Sequence, residues 1–452
     1  MGLPLLRSED YSADVLRARF LEAWARSDAI FAIVGAQGMD SQPIVWRHPF
    51  IFYVGHLPAF SWNQICGGIL EWKSFNRYFD DLFCRGIDPD VDTGECHWHP
   101  DVPETWPTLA ETMSYRDKVR DAIIRSLHAL RYRDANNVMA RGGRVFYMVL
   151  EHEFMHQETL LYMMQQLPIA TKRRPRNLPA PFFHAAPASR AVSIPAGKAR
   201  MGADFNMINF GWDNEFAECF VDVPSFEIDS LPVTNSQFYS FVACGAYDEE
   251  RYWRPEDWSW KVLERKHHPT FWFPKDGQWF YHGMFDVMPL AQVGSWPVYV
   301  SLAEARAYAA WRGKRLPTEA EFHRAAFYGL DEKESKYPWG ESLPSRWHGN
   351  FDFNAWSPMP VGSNTTGDSR WGVSELVGNG WELTDTLFTP FPGFSPYMTS
   401  YPDYSKDFFD GKHFVVKGGS WATAPELLRS SFRNWYQAHY SYVFAKFRCV
   451  SG

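Results

Sequence analysis

Two domains of different class are predicted, an all-α amino-terminal half built as a four-helix bundle and an α+β carboxy-terminal half. Up to about residue 170, apolar side chains recur at helical spacing. From Thr171 to Ala188 that period vanishes and prolines crowd in (Pro175, Pro179, Pro181, Pro187). After Ser189, short apolar runs alternate with Gly, Pro, Asn and Asp, as in VSIPAGKARMGAD and FVDVPSFEIDSLPV. The expected divisions are a bundle over 1–170, a linker over 171–188 and the α+β domain over 189–452.

The first helix is expected over Ser12 to Ala36, where Val15, Phe20, Ala23, Ile30, Ile33 and Val34 share one face. A second spans Ile51 to Leu70, with a break at Pro58. A third runs from Tyr115 to Tyr132 and a fourth from Gly143 to Leu167. Four helices with short or medium connections suit a bundle. A polar, aromatic loop, RGIDPDVDTGECHWHPDVPETWP, separates helices two and three. In the second half, Ser301 to Arg312 begins with the capping box Ser301/Glu304, and Thr318/Glu321 repeats the pattern for another helix.

The formal net charge of −8 argues against a general nucleic-acid surface. The basic run Lys172-Arg173-Arg174-Pro175-Arg176 reads as a solvated linker. None of the six cysteines forms a CxxC pair, and their scatter suits a reducing cytoplasm. A signal peptide is not expected at the amino terminus, and Leu6 stands where a myristoylation signal wants Ser or Thr. No apolar run reaches the length of a membrane span.

The chemistry concentrates in Leu150-Glu151-His152-Glu153-Phe154-Met155-His156. His152 and His156 lie four apart on a helix, so both rings leave one face and can meet one metal. Two ordinary core histidines are the plain alternative. The string also fits HExxH, which keeps a zinc hydrolase open with Glu153 as base, although the extended HExxHxxGxxH form is absent. Glu151, Glu153 and Glu158 are expected to support the site or face solvent rather than bind the metal. His56, in the apolar stretch PFIFYVGHL, is the candidate third ligand. Three neutral imidazoles leave positions on an octahedral Fe(II) for O2 and substrate, whereas zinc normally fills four positions and does no redox chemistry.

These residues carry a resemblance. GHLPAF around His56 and HEFMHQETLLYM around His152 and His156 are similar to a DinB-like bundle. IPAGKARMG, RGKRLPTEAEFHRAA, PWG, ELVGNGWELTDT, VVKGGSWAT, SFRNW and FAKFRCV resemble a formylglycine-generating-enzyme-like (sulfatase-modifying-factor) domain of C-type-lectin-like α+β fold. In that order they resemble the EgtB-type sulfoxide synthases of ergothioneine biosynthesis. The resemblance implies Fe(II) on His56, His152 and His156, and a substrate pocket at the junction of the halves. It implies O2-driven transfer of sulfur from a thiol to the imidazole of hercynine, the N-trimethylated histidine.

GIDPDVD and YPDYSKDFFDGKHFVVKGGSWAT look like the branch that uses free cysteine. The γ-glutamylcysteine branch carries Asp and Arg shortly after RNW, where Tyr436 and Tyr440 stand. Relatives on the same scaffold act on histidine (OvoA) or take a selenosugar (selenoneine synthase, SenA). No fused methyltransferase is seen, so another protein is expected to supply hercynine.

The resemblance also implies a proton-donating tyrosine. Tyr78 and Tyr397 are the leading candidates, with Tyr401 and Tyr404 beside Tyr397. Asn434 and Trp435 match the segment that approaches the imidazole. Trp421, Trp435 and Tyr436 could cage a quaternary ammonium or simply pack a core. Met155 would line the pocket, and Arg85 or Arg433 would clamp a carboxylate. A formylglycine generator itself is not expected, since Ala422, Thr423 and Ala424 follow Trp421 and Cys449 stands alone. Two other classes remain, a zinc hydrolase or thiol transferase and a ligand-binding protein without catalysis.

Overall fold

A computed structural model describes residues 12–86, 103–130, 136–398, 401 and 404–452. Most of the Gly86–Asp92 motif, Cys96 and the amino-terminal residues before Ser12 lie outside the described residues. The described chain divides into two compact units. One takes residues up to 176 together with the described residues of 396–403, and the other takes 177–395 and 404–452. The grouping of 396–403 with the first unit differs from the simple division at the linker.

The first unit is helical. Helix α1 (Ala13–Val34) starts at Ser12, whose side chain accepts from the Val15 N–H. Helix α2 (Phe50–Ser61) is buried along its whole length and passes through Pro58 unbroken. The break comes later, in a π-helical turn over Trp62–Gly67, where the Leu70 N–H reaches back five residues to the Ile65 carbonyl. Proline removes one N–H from the ladder, and a wide turn close behind it absorbs the mismatch. The short α3 (Arg77–Leu82) follows. Helix α4 (Leu109–Ala129) begins six residues earlier than expected, at a Thr108/Glu111 capping box. In α5 (Arg144–Gln165) every residue but Arg144 and Met155 is buried. A helix covered on all sides is the centre of its domain. Helix α1 packs on α5, and α2 packs on both α4 and α5. Among the described residues, no helix is long and apolar enough to cross a membrane.

The second unit is α+β. Strands β1 (Ala191–Ile194), β2 (Gly197–Met201), β3 (Cys219–Val223) and β4 (Phe226–Asp229) open it, with β2 and β3 paired antiparallel. Helices α6 (Asn235–Ala243) and α7 (Pro255–Leu263) precede a β5 (Trp272–Lys275), β6 (Gln278–His282), β7 (Val287–Pro289) meander. Helices α8 (Leu302–Trp311) and α9 (Glu319–Phe327) carry both expected capping boxes. The main sheet joins β8 (Trp381–Leu387), β9 (His413–Lys417), β10 (Asn434–Gln437) and β11 (Ala445–Lys446) in the order β10-β9-β8-β11. The last strand, β12 (Val450–Ser451), closes a sheet with β4 and β1.

Beneath β8 lies a fully buried charge cluster. Arg448 donates to both carboxylate oxygens of Glu382, at 2.8 and 3.2 Å, and Lys446 stands 3.3 Å from the same group. Lys446 also donates to the Gly378 and Gly380 carbonyls, and Arg448 to that of Ser374. Burial pushes the Glu382 carboxyl up, but the two cations outweigh it and hold it below the ordinary value.

Candidate metal centre

Helix α2 supplies His56 and α5 supplies His152 and His156, all three buried. The i,i+4 spacing on α5 brings the His152 and His156 Nε2 atoms to 3.1 Å. His56 Nε2 lies 3.1 Å from His156 Nε2. One ligand atom from each residue falls within 4.8 Å of the others.

The tautomer of His56 follows from its partner. Its Nδ1 lies 2.8 Å from the Phe83 carbonyl, which can only accept, so Nδ1 carries the proton. Nε2 therefore turns a lone pair toward the other two rings. Burial lowers the His56 imidazole to about 4, against the raising effect of that bond. Burial, then the neighbouring imidazoles, depress His152 well below the usual range, and burial, His56 and Arg47 do the same for His156. Neutral rings are the form that binds metals.

Converging neutral nitrogens fit a metal ion better than a hydrogen-bonded cluster. A metal–nitrogen bond of about 2.1 Å sets adjacent ligands ~3.0 Å apart at a right angle and ~3.4 Å apart at the tetrahedral angle. The two Nε2 spacings of 3.1 Å fall within that range.

Aromatic rings wall the cluster. Phe60 stacks on His152 at 3.6 Å between centroids, and Phe52 stacks on His56 at 4.9 Å. Tyr53 approaches His156 at 5.7 Å. Phe52, His56 and Phe60 are spaced four apart on α2, a pattern visible in the sequence but not singled out there. Glu153 turns elsewhere: it accepts from Ser27 at 2.5 Å, and burial pushes its carboxyl up to about 7. Gln157 donates to the same Ser27 hydroxyl, so this polar knot ties α5 to α1.

The other nominated residues fall in several places. Tyr78 is 61% exposed on α3, its ring 5.8 Å from Phe79. Tyr397 is half-buried and near the Arg144 guanidinium. Tyr401 meets Phe60 edge-on at 5.5 Å, one ring away from His152. Met155 is half-buried on α5, and Arg85 is buried.

In the α+β unit, Trp435 on β10 stacks on Phe388 at 4.3 Å and meets Tyr404 at 5.3 Å and Phe408 at 5.5 Å. Tyr404 in turn stacks on Trp212 at 4.1 Å. Asn434 donates to the Tyr436 hydroxyl at 3.2 Å, and Tyr436 stacks on Tyr440 at 5.8 Å. Trp421 is buried against Phe444, Trp356 and Phe353, which is core packing. Arg433 is buried and grips Glu319 through two nitrogens, at 3.1 and 3.2 Å.

A helical bundle with a buried tri-histidine cluster, continued by an α+β domain, defines a two-part architecture that known families share. Residues 19–160 match the DinB superfamily, and residues 179–452 match the sulfatase-modifying factor enzyme 1-like domain. The chain is 30% identical to the ergothioneine biosynthesis protein 1 of Neurospora crassa over 514 residues, covering 94% of this chain and 56% of that protein. It is 37% identical to the hercynine oxygenase of Mycolicibacterium smegmatis, covering 65% of this chain and 68% of the relative. With that of Mycobacterium tuberculosis it shares 34%, covering 75% and 77%. The chain belongs to the EgtB-type family of ergothioneine-biosynthesis proteins. It spans little more than half the length of the fungal relative.

Proposed function

We propose that the chain is an Fe(II)- and O2-dependent enzyme that joins a thiol, cysteine by preference, to the imidazole of hercynine. The observation that carries this reading is the convergence of the His56, His152 and His156 Nε2 atoms at a buried point in a chain of this family. The balance is one thiol, one imidazole C–H and one O2 giving one sulfoxide and one water. The S–H and C–H bonds break, C–S and S–O bonds form, and O2 takes four electrons. Iron, when bound, would supply O2 reduction and hold the thiolate beside the acceptor.

The chain's own groups supply the rest. Three neutral imidazoles hold the ion and leave coordination positions open. Phe52 and Phe60 cover two of those rings with apolar surface and keep water from them. Tyr401, its ring against Phe60, is assigned as the phenol that delivers a proton, ahead of Tyr78 and Tyr397. The half-buried rings of Trp435 and Tyr404, 5.3 Å apart, offer the faces that a trimethylammonium group prefers. The zinc-hydrolase alternative wants Glu153 beside the ion, yet that carboxylate is engaged with Ser27.

One feature favours a second donor. The parallel Tyr436 and Tyr440 rings, 5.8 Å apart, present flat apolar surface, a better match to a sugar face than to a charged amino acid. A selenosugar is therefore the second reading. Histidine in place of hercynine would bring a small, strongly hydrated primary ammonium, a weaker fit to the aromatic faces than a trimethylammonium.

The test loads the chain anaerobically with Fe(II), then adds O2 with cysteine or a selenosugar and hercynine or histidine. The expected product carries one oxygen more and two hydrogens fewer than its summed reactants, read by mass spectrometry. Turnover of the zinc-loaded protein without oxygen uptake would overturn the reading.

A further inference from the structure

His56 is oriented by a main-chain carbonyl, and a carbonyl is only as fixed as the segment that carries it. Phe83 follows directly on α3, a helix of six residues. A helix that short has no stability of its own and must be held by its surroundings. Its anchors are specific. Asn76 caps it by accepting from the Phe79 N–H at 3.2 Å. Asn63, from the π turn after α2, donates to the Asp80 carbonyl at 3.0 Å. The Asp80 carboxylate accepts from Ser74 at 2.5 Å on one oxygen and from the Tyr115 hydroxyl of α4 at 2.6 Å on the other.

Asp80 and Tyr115 are both buried. A buried carboxylate costs stability unless its oxygens are bonded, so a short helix does not carry one idly. Asp80 stands three residues before Phe83, on the same side of the helical turn. The Tyr115 ring also packs on Phe79 at 5.4 Å and on Phe83 at 6.3 Å. From the opposite side, the Phe83 ring fills the space a side chain at Gly55 would take, one residue before His56.

We propose that Tyr115 and Asp80 are a positioning pair for the ligand His56, holding the Phe83 carbonyl where it fixes the Nδ1–H tautomer and aims Nε2 at the metal. The inference rests on the reading of the three histidines as a metal site. Neither residue touches the ion; they act through the carbonyl. Groups that orient a ligand histidine typically change metal affinity by about 10–100-fold when removed.

The test uses the full chain, with Co(II) as the probe, titrated by its visible ligand-field absorption. Tyr115→Phe removes the hydroxyl and keeps the ring. It is expected to weaken Co(II) binding by about 10–100-fold and to shift the ligand-field spectrum. The melting temperature of the metal-free protein should fall by no more than a few degrees. Asp80→Asn keeps an oxygen that can accept from Tyr115 and should retain the wild-type spectrum. Asp80→Ala should reproduce the Tyr115→Phe loss, which covers the case of a poorly folding variant. Wild-type affinity and spectrum in both Tyr115→Phe and Asp80→Ala would overturn the positioning role and leave the triad intact. Failure of the wild-type chain to bind Co(II), or undiminished binding by His152→Ala, would overturn the triad itself and the inference with it.

Discussion

Gly55→Ala is a sharp probe of how tightly the metal site is built, because two effects of known size oppose each other. In an unobstructed helix, alanine is better than glycine by ~1 kcal/mol, so the substitution alone would stabilise α2. At residue 55, however, the new Cβ would lie 2.5 Å from three ring atoms of Phe83. Carbon atoms rest at about 3.5–4.0 Å, so the ring must retreat by ~1 Å. It has little room, being fully buried among Phe52, Phe79, Trp106 and Tyr115. Overpacking of this kind costs ~1–3 kcal/mol. The net expectation is a loss of up to ~2 kcal/mol, the overpacking term offsetting or exceeding the gain in helix propensity. Retreat of the ring also draws the Phe83 carbonyl from its 2.8 Å contact with His56, so metal affinity should fall together with stability. Urea unfolding followed by far-ultraviolet circular dichroism measures the first effect and a Co(II) titration the second. A variant more stable than the wild type, with unchanged affinity, would refute the argument, because the Phe83 ring would then have to be free to yield.

Three further outcomes are expected. Tyr401→Phe should lower kcat by about 10²–10⁴-fold, the usual size of a proton-transfer contribution, while Co(II) affinity stays unchanged. Arg433→Met should reduce stability by ~1.5–3 kcal/mol, because Glu319 loses two charged hydrogen bonds and keeps only the Lys417 ammonium at 3.7 Å, and should leave KM for either substrate unchanged once the protein is folded. Glu382→Gln should cost more, ~3–5 kcal/mol, with Arg448 and Lys446 left buried together. The Glu382 contribution also has a pH signature. Its carboxyl titrates lower in the folded state than in the unfolded chain, so its stabilisation is complete above the unfolded value and fades as pH falls through the depressed folded one. Acid denaturation of the glutamine variant should lack that component.

What could be read in advance followed the length and regularity of each element. Helix α1 was expected over Ser12 to Ala36 and runs from Ala13 to Val34, since a long amphipathic stretch states its own period. Pro58 misplaced the break in α2, because sequence locates the missing N–H but not the turn that absorbs it. Helices α6 and α7 went unread at nine residues each, too short for a period to declare itself. The Thr234/Gln237 capping box was nevertheless available as a signal for α6. In the site, the histidine pair on α5 was visible by spacing and His56 by its odd position in an apolar run. The Phe83 carbonyl was not, since a main-chain group leaves no mark in a sequence. Tyr401 could be separated from its neighbours only by knowing which phenol folds against Phe60.

The burial of all but two residues of α5 has a consequence for how a metal would come and go. Two donors sit on a rod clamped on every side, and the third is latched by a peptide oxygen. None has to swing into place on loading. Such a centre resembles a rigid socket more than a clasp, and emptying it with a chelator should leave the backbone where it was. The ion would then be a replaceable tool of the bundle rather than the rivet that holds it together.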